Sequence, residues 1–448
     1  MKALLGRVKG SALEVVIDRI PVLPSAVALL STFTRQIRDL YFVGADWEGV
    51  QTFSEITLGP FPFLRTFTFD FFDSVRNSVP FSQPLLDGAV NLEELRFRSE
   101  SKWPPTLIHF AFPNLVSLNF SVTSLERFCT PPLLDFLEAS PKLRTVHIGI
   151  SAQISLEGVS RGRIVTLPNV ETFTFLTSTG GSGYKVAAHI SCPSVKFMSL
   201  IIEEDREAIA SKVRFPAESW NAIVCQYTKS PVEEIVVEAR TSGRTVTCKL
   251  TFRSADATVI ELCFKSVDIH YNAPLGFLLS PEEMKEIIAQ ATRTVVNHPQ
   301  LANAKRLRLR HDLDPVVSPS IPDIANEVRQ LFRSVGLLDE LIIYRCELSP
   351  YLHSFITSRE DSSVEPLVYP PTKVLTISHP VNVSSAECTA IEELAKSQHA
   401  LGIPFERVII CEDGDWSGME GMEERLRPWV GSVDYRYDGL DDDDWGFW

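Results

Sequence analysis

An apolar residue, two spacers, a second apolar residue, one spacer and a third form a pattern that returns along most of this chain. Leu64-Arg65-Thr66-Phe67-Thr68-Phe69 is one copy and Leu92-Glu93-Glu94-Leu95-Arg96-Phe97 is the next. Further copies open at Leu115, Leu143, Val170 and Val195, often just after Pro or Asn. Alternation within each copy predicts a short strand with one apolar face. From Ile37 through Leu64, Leu92, Leu115, Leu143, Val170 and Val195 to Val232 the copies are spaced by 27, 28, 23, 28, 27, 25 and 37 residues. A second series at Ala304, Leu338, Thr372 and Phe405 is spaced by 34, 34 and 33. Strands recurring at such intervals predict a stacked-repeat solenoid, a scaffold that works by offering a surface.

The longer repeats have room for a helix, and the sequence supplies one each time. Ser280, Pro281 and Glu283 open the first, with Met284, Ile287, Ile288, Ala291 and Val295 on one face. Ile324, Val328, Leu331, Phe332 and Val335 form the second before Gly336 ends it. Ser384 and Glu387 open a third, which closes at Gly402 and Pro404. Alternating strands and helices predict parallel strands joined by crossovers.

The period breaks between Val237 and Ser280. Thr245 to Phe252 and Thr258 to Ser266 alternate around Arg253-Ser254-Ala255-Asp256-Ala257, which reads as an inserted β-hairpin, although Val259, Leu262 and Phe264 also fit the repeat. Met419, Met422, Leu426 and Trp429 predict a short helix, and Val433, Tyr435 and Tyr437 a last strand covering the end of the stack. The predicted organisation is an N-terminal capping segment at 1–36, shorter repeats at 37–240 and a hairpin or irregular repeat at 241–279. Longer helix–strand repeats follow at 280–411, then a C-terminal cap at 412–437 and an acidic aromatic tail at 438–448.

Composition narrows the function. Over 448 residues the chain is 44% hydrophobic and carries 27 Phe, enough for a continuous core. A net charge of −14 argues against general nucleic-acid binding, which needs basic surface. The eight Cys are scattered without a CxxC pair and read as reduced thiols. Arg7 and Lys9 interrupt the only apolar run near the start, and no apolar stretch approaches the ~20 residues that span a bilayer. The expected setting is cytoplasmic or nuclear, with no membrane partner.

The repeat spacing resembles the leucine-rich-repeat arm of F-box proteins, over most of the chain. Residues Gly6 to Asp18, followed by Ile37-Arg38-Asp39-Leu40-Tyr41-Phe42, are similar to the segment after the F-box in the fungal branch of that family. The resemblance implies an α/β leucine-rich-repeat solenoid, a horseshoe with parallel strands on the concave face and helices or loops outside, plus the inserted hairpin. It also implies substrate recognition for a cullin–RING ubiquitin ligase, whose adaptor would dock an F-box. The F-box itself is expected to be missing, since the chain begins where it would have ended. An F-box-less repeat protein that binds targets without ligase delivery is therefore the alternative reading. Motif position nine holds Phe72, Glu100, Thr123, Ser151 and Ser178 where well-formed repeats carry Asn or Cys, which predicts degenerate repeats.

Positions three, five and seven of each copy are expected on the inner face, because side chains alternate along a strand. That assigns Thr66, Thr68 and Asp70, then Glu94, Arg96 and Arg98, then Ser117, Asn119 and Ser121, then Thr145 and His147. In the second half it assigns Arg306, Arg308 and Arg310, with Ile342 and Tyr344 on the next strand. Three arginines in a row read either as a docking site for an acidic segment beside an aromatic anchor, Tyr344, or as a strand face neutralised by neighbouring acids. In the tail, Asp441 to Asp444 with Trp445, Phe447 and Trp448 reads either as a solvating end or as a linear motif for a partner groove.

Two further segments resemble ligand loops. Asp413-Gly414-Asp415-Trp416-Ser417-Gly418 with Glu424 matches the oxygen spacing of an EF-hand, but Glu420 and the strand expected before it do not, so no metal is assigned. Ser178 to Lys185 is Gly-rich but lacks the GxxxxGK[ST] order and reads as a connecting loop. With no HExxH, no GxSxG and no tight His–acid cluster, the chain reads as a non-enzyme without cofactors.

Overall fold

The computed structural model describes residues 12–18, 32–43, 61–71, 88–99, 112–123, 128–151, 154–160, 162–177, 183–205, 227, 230–242, 245–267, 303–312, 330–332, 334–344, 371–378, 385–411 and 421–436. The chain divides into two compact units, Met1–Glu203 and Glu204–Trp448. Each is an α/β assembly dominated by a mostly parallel open sheet with few helices.

In the first unit the sheet takes its strands in chain order: β1 (Leu13–Asp18), β2 (Ile37–Val43), β3 (Thr66–Phe71), β4 (Glu94–Ser99), β5 (Ser117–Thr123), β7 (Thr145–Ser151), β10 (Thr172–Thr177) and β12 (Phe197–Asp205). Pairs of two-residue strands lie apart from it: β6 (Phe128–Cys129) with β8 (Ile154–Ser155), and β9 (Val165–Thr166) with β11 (Ile190–Ser191). Among the described residues, pairing between these main strands is parallel and joins the same motif position from copy to copy. One apolar row therefore runs Leu40, Phe67, Leu95, Leu118, Val146, Phe173 and Met198, and the next Phe42, Phe69, Phe97, Phe120, Ile148, Phe175 and Leu200. All are buried. Phenylalanines stack along the second row, with ring centroids 5.2 Å apart for Phe69 and Phe97 and 5.8 Å for Phe97 and Phe120.

The entry to each strand is built alike. The N–H of the first apolar residue bonds the carbonyl three residues back, as in Leu64 to Phe61, Leu92 to Ala89, Leu115 to Phe112 and Leu143 to Ser140. Asparagines just before the motif reach across to the preceding turn: Asn91 Nδ2 donates to the Pro62 carbonyl (2.7 Å), Asn114 Nδ2 to Val90 (2.9 Å) and Asn169 Nδ2 to Pro141 (3.0 Å). Lys142 Nζ donates to Asn114 Oδ1 (2.7 Å). These bonds satisfy turn carbonyls that the sheet leaves open. A side-chain ladder thus exists at the entry of the strand. Helix α1 (Thr130–Glu138) starts after extended Cys129, with Pro131 and Pro132 in its first turn where no intrahelical donor is needed. It buries Leu133, Leu134, Phe136 and Leu137. Helix α2 (Gly183–Ala187) is a single turn.

In the second unit the sheet order is β15 (Val259–Val267), β14 (Thr245–Ser254), β13 (Val232–Ser242), β16 (Arg306–Asp312), β17 (Leu338–Tyr344), β18 (Thr372–Ser378), β19 (Arg407–Cys411) and β20 (Ser432–Arg436). From β13 to β20 across β16–β19 the pairing is parallel and in motif register. β13, β14 and β15 form an antiparallel meander. The hairpin predicted for residues 245–266 is therefore observed, with β15 running in the same direction as β13. Its turn is held by Asp256, which accepts from Ser254 Oγ (2.7 Å) and the Thr258 N–H (3.2 Å) and so lets Ala257 take φ 63°.

Helix α3 (Ser385–Ala400) ends as its sequence requires: Gly402 has φ 77°, and Gly402 and Ile403 N–H groups bond the carbonyls of His399 and Gln398. Helix α4 (Met422–Leu426) buries Met422 and Leu426. Of the other predicted helices, residues 280–295 lie outside the described residues, while Gln330, Leu331, Phe332 and Ser334 are helical within the second. Among the described residues no helix is long and apolar enough to cross a membrane.

Candidate functional site

The face opposite the apolar rows carries the residues singled out from sequence. In the first unit Tyr41, Thr68, Arg96, Asn119, His147, Thr174 and Ser199 form one row across seven strands. The row on its N-terminal side is Asp39, Thr66, Glu94, Ser117, Thr145 and Thr172, and on the other side lie Asp70, Arg98, Ser121 and Gly149. Parallel pairing thus brings Arg96, Asn119 and His147 side by side. Arg96 and Arg98 are exposed, and Asn119 and His147 half-buried. Burial first, then the charge of Arg96, holds the imidazole of His147 below its ordinary pKa, so it is neutral at pH 7. Gly149 leaves this face low, since a Cβ there would sit 3.0 Å from Ser121 Oγ.

The equivalent face of the second unit is different. Arg306, Arg308 and Arg310 do lie on one face of β16, paired with Glu234, Val236 and Glu238 of β13 and with Glu340, Ile342 and Tyr344 of β17. Arg308 pairs with Glu234, whose other oxygen accepts from Arg253 Nη1 (2.8 Å). Arg310 lies 3.9 Å from Glu238, which also pairs with Arg240. Glu234 and Glu238 are 6% exposed, and Arg310 and Tyr344 1%. Burying such charges is tolerable only because they are paired. Arg308, Arg310 and Tyr344 are thus parts of a buried polar layer, while Arg306, whose side chain is 57% exposed, reaches solvent. The neutralised strand face is the arrangement these side chains adopt.

Buried polar groups continue along this layer. Ser378 and Cys411 follow Tyr344 in register, all buried, and burial pushes the Cys411 thiol up. Thr376 Oγ1 donates to Glu340 Oε1 (3.1 Å). The paired acids Glu234, Glu238 and Glu340 were not singled out from sequence, yet the signal was there. They occupy positions three and seven of the copies opening at Val232 and Leu338, the positions that Arg306 and Arg310 occupy in theirs.

Residues 413–418 of the EF-hand-like loop, Ser178 to Ser182 of the Gly-rich loop, and the tail residues Trp445, Phe447 and Trp448 lie outside the described residues. Among the described residues no cluster of three or more His, Cys, Asp and Glu has metal-binding geometry. Cys248 is fully enclosed and its thiol is pushed up to about 12, first by desolvation and then by Cys263, which keeps it a poor nucleophile. No family model, no curated protein and no solved structure matches the chain.

Proposed function

We propose that this chain is a non-enzymatic protein-recognition scaffold of the leucine-rich-repeat kind that F-box receptors use to hold ubiquitin-ligase substrates. The observation carrying this reading is the row of Thr68, Arg96, Asn119, His147 and Thr174 on five successive parallel strands. A sheet fixes such side chains about 4.8 Å apart from strand to strand. The row is therefore a polar surface on a preorganised backbone, and little backbone ordering remains to oppose association. Arg96, exposed beside half-buried Asn119 and His147, is the strongest candidate anchor there.

Affinity purification of the tagged full chain, with and without Arg96→Glu combined with His147→Glu, tests the role. Proteins captured by the native chain should be lost with the doubly substituted face, and recovery of a cullin–RING adaptor with both would favour ligase delivery. Capture that is indifferent to the substitutions would remove this face as the recognition surface. Face-dependent targets without the adaptor would favour the F-box-less scaffold instead.

A further inference from the structure

We infer that the recess at the start of strands β13, β16 and β17 binds an acidic peptide segment through Arg306. It rests on the recognition role proposed above and names the chemistry of one segment that role would engage. The recess measures about 490 Å³ and is lined by Glu233 and Glu234, by Arg253, Ser254, Ala257 and Val259 of the hairpin, and by Lys305, Arg306 and Asp339. Ligand pockets typically hold about 300–1,000 Å³, so the space suits a few peptide residues and far exceeds one carboxylate.

The lining acids are already engaged. Glu233 holds Lys305 at 3.0 Å, Glu234 holds Arg253 and Arg308, and Asp339 holds Lys373 at 2.6 Å. In the hairpin turn, Asp256 is bound by Ser254 and Thr258 and is held down to about 2. Arg306 is the exception. Its nearest acid among the described residues is Glu340, with Nε 3.7 Å from Oε2, beyond hydrogen-bond range, while Glu340 accepts from Thr376 through its other oxygen. The Arg306 guanidinium is thus held only by a long ion pair to Glu340, and a carboxylate in the recess would gain two parallel hydrogen bonds from its planar fork.

The rest of the lining suits the residues around that carboxylate. Ala257 and Val259 offer apolar contact, and the Lys305–Glu233 and Lys373–Asp339 pairs frame the opening with both signs of charge. Glu234 stays paired on the inner wall, so the acids of the recess do not repel the incoming carboxylate as free charges would.

Fluorescence anisotropy with the full chain and a labelled peptide of alternating aspartate and glutamate tests the site at about 50 mM salt, where a Debye length exceeds 10 Å. Saturable binding is expected, weakened about tenfold or more by Arg306→Glu and clearly by Arg306→Gln. Both substitutions sit on an exposed side chain, and an unchanged melting temperature checks that the fold persists. Arg65→Glu, at an equally exposed arginine of the other unit, should leave the peptide's affinity unchanged. The inference fails if the native chain does not bind the peptide, if Arg306→Glu binds as well, or if an Asn/Gln peptide binds equally. It also fails if inorganic phosphate alone displaces the peptide with equal or higher affinity, which would make the recess a small-anion site. None of these failures touches target capture through Arg96 and His147, so failure of this inference is distinguishable from failure of the recognition role.

Discussion

The guanidinium of Arg310 lies over the ring of Tyr344, its Cζ 4.7 Å from the ring centroid, and the two residues face each other on adjacent parallel strands. Both are 1% exposed, so a cation, its aromatic platform and the acid Glu238 are enclosed together. A cation over a desolvated aromatic face is worth on the order of 2 kcal/mol, which helps offset the cost of taking the guanidinium out of water. The pair holds β16 and β17 in register on the polar side of the sheet, as Leu309 and Ile343 do on the apolar side.

Tyr344→Ala should therefore cost about 3–5 kcal/mol, because it removes a large buried ring and strips Arg310 of its platform. Tyr344→Phe keeps the ring and should cost about 1 kcal/mol. Arg310→Ala is expected to be as damaging as Tyr344→Ala, since Glu238 loses a buried partner. Urea denaturation of the three variants checks the order.

In the first unit the phenylalanine stack should be most sensitive at its middle. Phe97 is 2% exposed and stacks on Phe69 and Phe120, with interplanar angles of 11° and 15°. Phe97→Ala should cost about 3–5 kcal/mol, and Phe97→Leu, which keeps most of the volume, about 1.5 kcal/mol or less. Denaturation followed by near-ultraviolet circular dichroism reads both the stability and the lost ring stacking.

Asn114 links three successive turns: it donates to Val90 and accepts from Lys142. Asn114→Ala should destabilise by about 1 kcal/mol, the worth of an ordinary hydrogen bond, because the site is exposed and water can replace part of what is lost. Faster amide exchange at Leu92 and Leu115, whose N–H groups close the neighbouring turns, would localise the effect. Uniform exchange across the unit would show that the asparagines do not act locally.

His147 gives the first unit a pH dependence of definite sign. Its folded-state pKa is lowered by burial and by Arg96, so the unfolded chain binds the proton more readily than the folded one. Stability from this group is complete above its ordinary value of 6.5 and declines as pH falls from there toward the lowered folded value. Facing it are Asn119 from β5, Thr174 from β10 and, one strand further, Arg96 from β4, with Glu94 beside Arg96. His147→Gln should flatten the stability profile below pH 6.5, and Arg96→Gln should make the decline shallower and end it at higher pH, because the folded value then moves back toward 6.5. A profile unchanged by His147→Gln would assign the acid sensitivity elsewhere.

Much of the fold was legible because local chemistry dictates it. Phe69, Phe97 and Phe120 fall on the apolar face by strand alternation alone, and the helix stop at Gly402 needs only a residue that accepts φ 77°. The hairpin between residues 245 and 266 was visible in two alternating runs around a polar turn. The paired arginines were less legible. Their spacing placed them on one face, but only the register between β13, β16 and β17 shows that Glu234, Glu238 and Glu340 lie opposite, from segments up to about 70 residues away in sequence.

By itself the sequence determined where strands form, which side of each is apolar and which motif positions share a face, because these follow from a two-residue alternation and from turn residues. Tertiary structure alone decided that the polar face is open at Arg96 and closed at Arg310. It also decided that the asparagines before the motif build the turn ladder and that β14 pairs antiparallel with β13. Alternation distinguishes the two sides of a strand without stating which one meets water, since burial depends on packing by segments distant in the chain.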